Sequence, residues 1–347
     1  MYQVTSTSVS KGLNAGLAIA AVVIGHILVC VPVILDGYGV HDVEQRMRAH
    51  SHQLFRGIVA IIWFGTQTYQ AGQCVSVMIS AIWPSFQHLP DKLPAGSPVS
   101  SSELLCFFLA IIIHLPLLYL KVSSLRYLFI VKMCVMPIFG IVLFAWAVAG
   151  AHGFGPIFSK PSVISDGTPV VVVFFQCVTS TIGPKATLAL NMPDFTRYAK
   201  KPREIFWSQP IGLVILVSLC GVLGATVTSA TEIIYGKRTW NPLEVALLWE
   251  NRAAQFFTAL CWFVACVGTN ISANSVSFSN DISLWFPKYI DSRRGAFICA
   301  FLSILSMPWY IQHSYVFAPF QDNPVLTTIA PRRFRHSSED TPYSSAR

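Results

Sequence analysis

Long apolar stretches dominate this sequence. Several of them reach the roughly 20 residues that an α-helix needs to cross about 30 Å of hydrocarbon. Hydrophobic residues make up 53% of the 347-residue chain, charged residues make up 12%, and the mean hydropathy is +0.55. A transmembrane β-barrel would instead show short segments of alternating polarity. The sequence therefore predicts an all-α polytopic membrane protein.

The apolar stretches predict about eight transmembrane helices, separated by polar or turn-rich loops. These predicted spans cover residues 13–36, 55–83, 102–120, 128–150, 169–190, 209–233, 253–275 and 295–312. We interpret residues 1–312 as one transmembrane domain. Residues 313–347 are polar and rich in Ser, Pro and Arg, so they bury too little apolar surface to fold and are expected to be a disordered tail.

The loops between the predicted spans alternate in basic content. Most of their Lys and Arg residues fall in the loops at 37–54, 121–127, 191–208 and 276–294. Positively charged loops face the cytoplasm, which would place the beginning of the chain outside. Residues 1–12 do not resemble a signal peptide, so we expect a further span to precede them. The net charge of +8 is explained by topology, and we expect lipid rather than nucleic acid as the partner.

No catalytic motif stands out in the sequence. Nucleophile-elbow, zinc-protease and phosphate-loop patterns are absent, and the nine cysteines form no C-x-x-C pair. We therefore expect no enzyme activity, no metal and no other cofactor. His26 and His114 lie inside predicted spans, where we favour hydrogen-bonded interior residues over proton carriers.

The second predicted span carries a polar face. Trp63 and Gln67 are four residues apart, so they share one side of a helix. A tryptophan plane beside an amide suits a flat, hydrogen-bonding heterocycle, because the ring stacks and the amide binds a polar edge. The alternative is a tryptophan at the lipid interface. Gln70 and Gln73 follow on the same span, which favours a polar face that points into the protein.

Two other predicted spans contain polar features. Asn270 and Asn274 lie four residues apart in the seventh span, and each amide needs hydrogen-bond partners in hydrocarbon. In the fifth span, Gly183 and Pro184 interrupt the helix, because proline lacks an N–H. Lys185 follows directly. It is either a functional charge at membrane depth or a lysine that reaches the cytoplasmic surface.

Three motifs together resemble one family. Asn191–Tyr198 (NMPDFTRY), Trp63–Gln67 and Thr269–Asn274 resemble the nucleobase–cation symporter-1 family, and most of all its fungal branch of uracil, allantoin and uridine permeases. The resemblance covers residues 1–312. It implies a LeuT-like fold of about twelve helices, ten of which form two five-helix inverted repeats around a midplane site. The eight spans would be helices two to nine, so the chain would be truncated at both ends.

The resemblance also implies residue roles. Trp63 would stack on the substrate, Gln67 and Asn274 would hydrogen-bond it, and Lys185 would lie close to it. The stretch that corresponds to the family's cation site contains Ala265, Gly268 and Thr269. Gly268 replaces an expected serine and lacks a hydroxyl ligand, which favours a proton as the coupling ion. The remaining motif residues would form a gating or structural cluster: Asn191, Asp194 and Arg197.

These features predict a plasma-membrane permease that imports a nucleobase or related heterocycle by proton symport. The alternative is a truncated, non-transporting fragment of such a permease. A helical receptor or a membrane enzyme would need seven spans or a catalytic cluster, and the sequence shows neither.

Overall fold

The computed structural model describes residues 15–43, 50–94, 97–120, 124–155, 169–179, 181–182, 202–237 and 239–313. Within these ranges the regular structure is helical, which confirms the all-α prediction. The helices are α1 (Ala15–Val43), α2 (His50–Ile82), α3 (Ser101–Tyr119), α4 (Leu125–Gly150), α5 (Val170–Thr179), α6 (Pro202–Tyr235), α7 (Pro242–Leu247), α8 (Arg252–Asn270), α9 (Val276–Trp285), α10 (Ser292–Leu305) and α11 (Pro308–Gln312).

Four helical stretches in the described residues are long and apolar enough to cross a membrane. They are α3, α4, the Ile211–Tyr235 part of α6, and the continuous stretch from Arg252 to Trp285. Shorter apolar helices occur at Gly16–Cys30 within α1 and in α5. Helix α2 is 33 residues long but less apolar, because it carries an arginine and four glutamines. Its length is sufficient to span a bilayer.

The seventh predicted span continues beyond its expected end near residue 275. Helix α8 passes into a π-helical segment, Ile271–Ser275, and then directly into α9. The sequence prediction placed residues 276–285 in the loop at 276–294. In the structure Ser277, Ser279, Asn280 and Asp281 are buried, so these polar residues belong to a packed helix.

The eighth predicted span, 295–312, is also different in the structure. It consists of α10 and the short α11, which are separated at Met307. Met307 adopts a left-handed conformation with φ of 48°, and Pro308 then begins α11. The left-handed backbone of Met307 ends the helical path of α10, and Pro308, which has no N–H to donate to the preceding turn, occupies the first position of α11.

Two helix pairs make the most extensive contacts within the described residues. Helix α2 packs most extensively on α8, and α1 packs on α6. The largest buried cluster joins α2, α3, α8, α9 and α10. Smaller clusters join α1 to α5, and α4 to α6 and α7.

Small residues allow the closest helix contacts. A Cβ added to Gly72 would lie 2.9 Å from Cα of Phe107, which places α2 and α3 backbone to backbone. A Cβ on Gly295 would lie 2.8 Å from Cα of Ser279, between α10 and α9. Such contacts are typical of helix association in membranes, where close van der Waals packing replaces the hydrophobic effect.

A buried ion pair joins α2 to α9. Arg56 Nε donates to Asp281 Oδ2 at 2.6 Å, and Arg56 Nη2 donates to Asp281 Oδ1. The two side chains are only 9% and 6% exposed. A bidentate arginine–carboxylate pair fixes the relative rotation of the helices as well as their distance. Neither residue was singled out by the sequence analysis.

We expect Asp281→Ala to lower the free energy of unfolding by about 3–5 kcal/mol, because it leaves a buried guanidinium without this carboxylate. The double variant Arg56→Met/Asp281→Leu should recover most of that loss, since it removes both charges. Thermal unfolding in detergent measures both effects, with Glu250→Ala, which removes an exposed carboxylate, as the control. Equal melting temperatures for Asp281→Ala and Glu250→Ala would contradict this interpretation.

Candidate functional site

The structure brings together Gln67 and Asn274, which are 207 positions apart in the sequence. Asn274 Nδ2 donates a hydrogen bond to Gln67 Oε1 at 3.3 Å. Gln67 lies in the middle of α2 and is half-buried, whereas Asn274 lies in the π-helical segment and is buried. Isolated π-helical turns recur at functional sites. The contact therefore joins the two polar faces that the sequence analysis identified separately.

Asn270 is the centre of the hydrogen-bond network behind this pair. Its Nδ2 donates to the carbonyl oxygen of Phe64 at 3.2 Å and to Thr68 Oγ1 at 2.9 Å. Its Oδ1 accepts a 2.9 Å hydrogen bond from Asn274 Nδ2. The asparagine side chain is fully buried. Its amide is therefore satisfied by α2 on one side and by Asn274 on the other.

His114 extends the network into α3. Its Nδ1 lies 2.7 Å from the carbonyl oxygen of Ala110, so Nδ1 carries a proton and donates it. In the neutral ring Nε2 is then an acceptor, and Asn270 Nδ2 lies 3.5 Å from it. His26 Nδ1 similarly lies 2.6 Å from the carbonyl oxygen of Val22. Both histidines are hydrogen-bonded interior residues, as predicted.

One backbone carbonyl fixes the orientation of the three side-chain amides in this network. The carbonyl oxygen of Phe64 requires the amide nitrogen of Asn270 to face it, so Asn270 Oδ1 must face Asn274. Asn274 therefore directs its nitrogen towards both Asn270 and Gln67. Among the described residues, the network leaves Asn274 Oδ1 as an acceptor and Gln67 Nε2 as a donor without a protein partner. The pair thus presents one donor beside one acceptor.

Trp63 lies one helical turn before Gln67 on α2. Its side chain is half-buried, as is that of Gln67, whereas the intervening Phe64 and Thr66 are buried. The accessible sides of the indole and of the amide therefore belong to the same helix face, as the four-residue spacing predicted.

The residues predicted for the cation site lie on α8, next to a lysine from α4. Lys132 Nζ donates a hydrogen bond to Thr269 Oγ1. A Cβ added to Gly268 would lie 2.9 Å from Lys132 Cδ, while Ala265 is half-buried one turn earlier. The sequence analysis missed Lys132. A lysine inside an otherwise apolar span was the signal that could have identified it.

Several predicted site residues lie outside the described residues. They are Lys185 and the proposed gating cluster of Asn191, Asp194 and Arg197. Their roles remain predictions.

A cavity of about 320 Å³ lies on a different side of the π-helical segment. It is bounded by the end of α3, the start of α4, Ile271 and Ser275 of the π-helical segment, and the start of α10. Trp63, Gln67 and Asn274 do not line it. It is therefore a separate feature beside the amide network.

Comparison with known proteins identifies the family of the chain. A family model described as a permease for cytosine/purines, uracil, thiamine and allantoin matches residues 51–322. The uracil permease of Saccharomyces cerevisiae is 34% identical over 264 residues, which cover 73% of this chain and 41% of the relative. The allantoin permease of Bacillus subtilis is 31% identical, covering 82% of this chain and 56% of the relative. The chain spans about half the length of these relatives.

Two solved structures share the fold. Both are of Mhp1, a nucleobase–cation symporter-1 family transporter. A closed conformation with bromovinylhydantoin bound gives a TM-score of 0.66, at 15% identity over 89% of this chain and 68% of that chain. An inward-facing conformation gives a TM-score of 0.68, at 14% identity over 92% of this chain and 70% of that chain. These matches confirm the predicted inverted-repeat transporter fold.

We expect Asn270→Ala to lower the free energy of unfolding by about 1–3 kcal/mol, because it removes a donor from Thr68 and an acceptor from Asn274 in a buried site. Ser272→Ala is the matched control, since the Ser272 hydroxyl bonds only within its own helix turn, to the carbonyl oxygen of Thr269 at 3.1 Å. Thermal unfolding in detergent compares the two variants. If Asn270→Ala is as stable as Ser272→Ala, the network does not hold the helices together.

Proposed function

Because the chain belongs to the nucleobase–cation symporter-1 family of permeases for cytosine/purines, uracil, thiamine and allantoin, we propose that it imports a nucleobase or related heterocycle across the plasma membrane by proton symport. The observation that carries the proposal is the pairing of Gln67 with Asn274. It places a donor and an acceptor at the junction of α2 and the π-helical segment, in a multi-pass membrane protein.

The site suits a flat ring with an N–H beside a carbonyl. Asn274 Oδ1 accepts from the ring N–H, Gln67 Nε2 donates to the adjacent carbonyl oxygen, and Trp63 stacks on the ring face. Aromatic stacking contributes about 1–3 kcal/mol per base. A ligand without the N–H leaves Asn274 Oδ1 unpaired. An unpaired polar group in the site disfavours the wrong ligand more strongly than a missing methyl group does. Uracil and allantoin both carry this lactam edge.

The names of the relatives agree with this substrate class. Fungal relatives include permeases named for uracil, allantoin and uridine, and a plant relative is named a purine–uracil permease. Uracil, allantoin and uridine all contain a ring amide or imide. We propose Lys185 as a further residue close to the substrate and the cluster of Asn191, Asp194 and Arg197 as a cytoplasmic gate.

A proton is the coupling ion that the α8 residues favour. Ala265 and Gly268 supply no side-chain oxygen, and the hydroxyl of Thr269 accepts from Lys132. Hard metal cations require several oxygen ligands. A proton does not need several oxygen ligands.

This function is tested by expressing the longest reading frame that contains this sequence in yeast that lacks its own permeases. The measurement is the uptake of labelled uracil and allantoin. We expect Trp63→Ala to reduce uptake tenfold or more and Trp63→Phe to retain part of it, because only the latter keeps an aromatic face. Trp83→Ala is the control, since Trp83 is 69% exposed at the end of α2. Unchanged uptake in Trp63→Ala would remove Trp63 from the site.

A further inference from the structure

The cavity beside the π-helical segment combines a buried, mostly apolar interior with a charged entrance. Its volume of about 320 Å³ lies at the lower end of the range for small-molecule sites, roughly 300–1,000 Å³. Asp291 and Arg293, at the start of α10, line the entrance, where Asp291 is exposed. Leucines from α3 and α4 form much of the wall: Leu117, Leu118, Leu120 and Leu125. This combination fits a ligand that has a charged head and an apolar chain.

The entrance lies at one end of three helices, where α3 ends and α4 and α10 begin. Tyr119 and Tyr127 mark this end, and both are 61% exposed. Each ring is covered by a guanidinium: Arg293 Cζ lies 4.9 Å from the ring centroid of Tyr119, and Arg126 Cζ lies 4.8 Å from that of Tyr127. Tyrosines are enriched at the headgroup level of a membrane, and basic loops face the cytoplasm. The entrance therefore lies at the headgroups of the predicted cytoplasmic side.

The charge of Arg293 is available to a ligand. Its side chain is half-buried, and within the described part of the chain its guanidinium forms no ion pair or hydrogen bond. The carboxylate of Asp291 is already engaged, because its Oδ1 accepts from the backbone N–H of Arg294 at 2.8 Å. Arg294 Nη1 in turn donates to the carbonyl oxygen of Tyr289 at 2.6 Å. Arg293 thus keeps the planar set of donors that matches a phosphate group.

A buried hydroxyl inside the cavity has no hydrogen-bond partner among the described residues. The Ser275 side chain is 2% exposed and lines the cavity. The neighbouring Ser279, which also lines the cavity, instead donates to the carbonyl oxygen of Val276 at 3.0 Å. A buried hydroxyl without a partner is unfavourable, so Ser275 indicates a ligand that supplies an acceptor. Because Ser275 follows Asn274, such a ligand contacts the π-helical segment that carries Asn274.

We propose that this cavity binds an anionic glycerophospholipid of the cytoplasmic leaflet. Its phosphate pairs with Arg293, an ester carbonyl accepts from Ser275, and its acyl chains lie on the leucine wall. Basic residues between transmembrane helices on the cytoplasmic side attract anionic headgroups. The two helix connections at the entrance carry a basic excess, with Arg126, Lys288, Arg293 and Arg294 against Asp291. This lipid site is separate from the site proposed for the transported substrate.

Lipid titration followed by native mass spectrometry tests the proposal on the purified longest reading frame in a neutral detergent. We expect phosphatidylserine to bind more tightly than zwitterionic phosphatidylcholine by about fivefold or more. Arg293→Gln removes the charge at the cavity, so phosphatidylserine should bind at least about tenfold more weakly. Arg126→Gln is the control, because it removes an exposed arginine of the same surface that does not line the cavity. This control should change the affinity by less than about threefold.

A second variant and two soluble probes complete the test. Ser275→Ala should weaken phosphatidylserine binding by about threefold or more, because it removes the hydroxyl that binds the ester carbonyl. Inorganic phosphate and glycerophosphoserine, the free headgroup, should not compete at the lipid concentration that saturates the site.

Three outcomes would overturn the proposal. The first is equal affinity of the wild type for phosphatidylserine and phosphatidylcholine, and the second is an equal loss in Arg293→Gln and Arg126→Gln. The third is competition by a soluble probe, which would make the ligand a soluble anion. If Arg293→Gln melts far below the wild type, Ser275→Ala decides, and unchanged binding in that variant contradicts the site. These results do not depend on uptake, so they stand whether or not the protein transports uracil or allantoin.

Discussion

The side-chain amide of Asn270 is the interaction on which the rest of the candidate site depends. It binds a backbone carbonyl and a hydroxyl of α2, approaches His114 of α3, and accepts from Asn274. One buried residue of α8 thus joins three helices and fixes the direction of a second amide. Because no water competes in hydrocarbon, each of these groups must be satisfied by protein, which makes the arrangement specific.

Helix α2 forms side-chain hydrogen bonds with both helical segments that follow Asn270 in the chain. Helix α2 contributes Arg56 to a buried ion pair with α9 and Gln67 to the amide pair with the π-helical segment. The same polar residues lower the hydropathy of α2 relative to α3 and α4. A site for a polar heterocycle within a membrane requires such a helix, since a fully apolar helix would offer the ligand no hydrogen bond.

The sequence predicted those features that have a local pattern. The spacing of Trp63 and Gln67 placed them on one face, and Asn270 and Asn274 were expected to need partners. It could not predict the π-helical segment, the ion pair of Arg56 with Asp281, or the contact of Lys132 with Thr269. These features depend on which helices become neighbours, and residues up to 225 positions apart form them.

The central claim is our proposal that Gln67 donates to the substrate and Asn274 accepts from it. The most direct measurement is isothermal titration calorimetry of the purified protein with uracil and with its derivative methylated at both ring nitrogens. Methylation removes the N–H that Asn274 Oδ1 would accept, so we predict at least about tenfold weaker binding, equivalent to about 1.4 kcal/mol. Equal dissociation constants for the two ligands would contradict the claim.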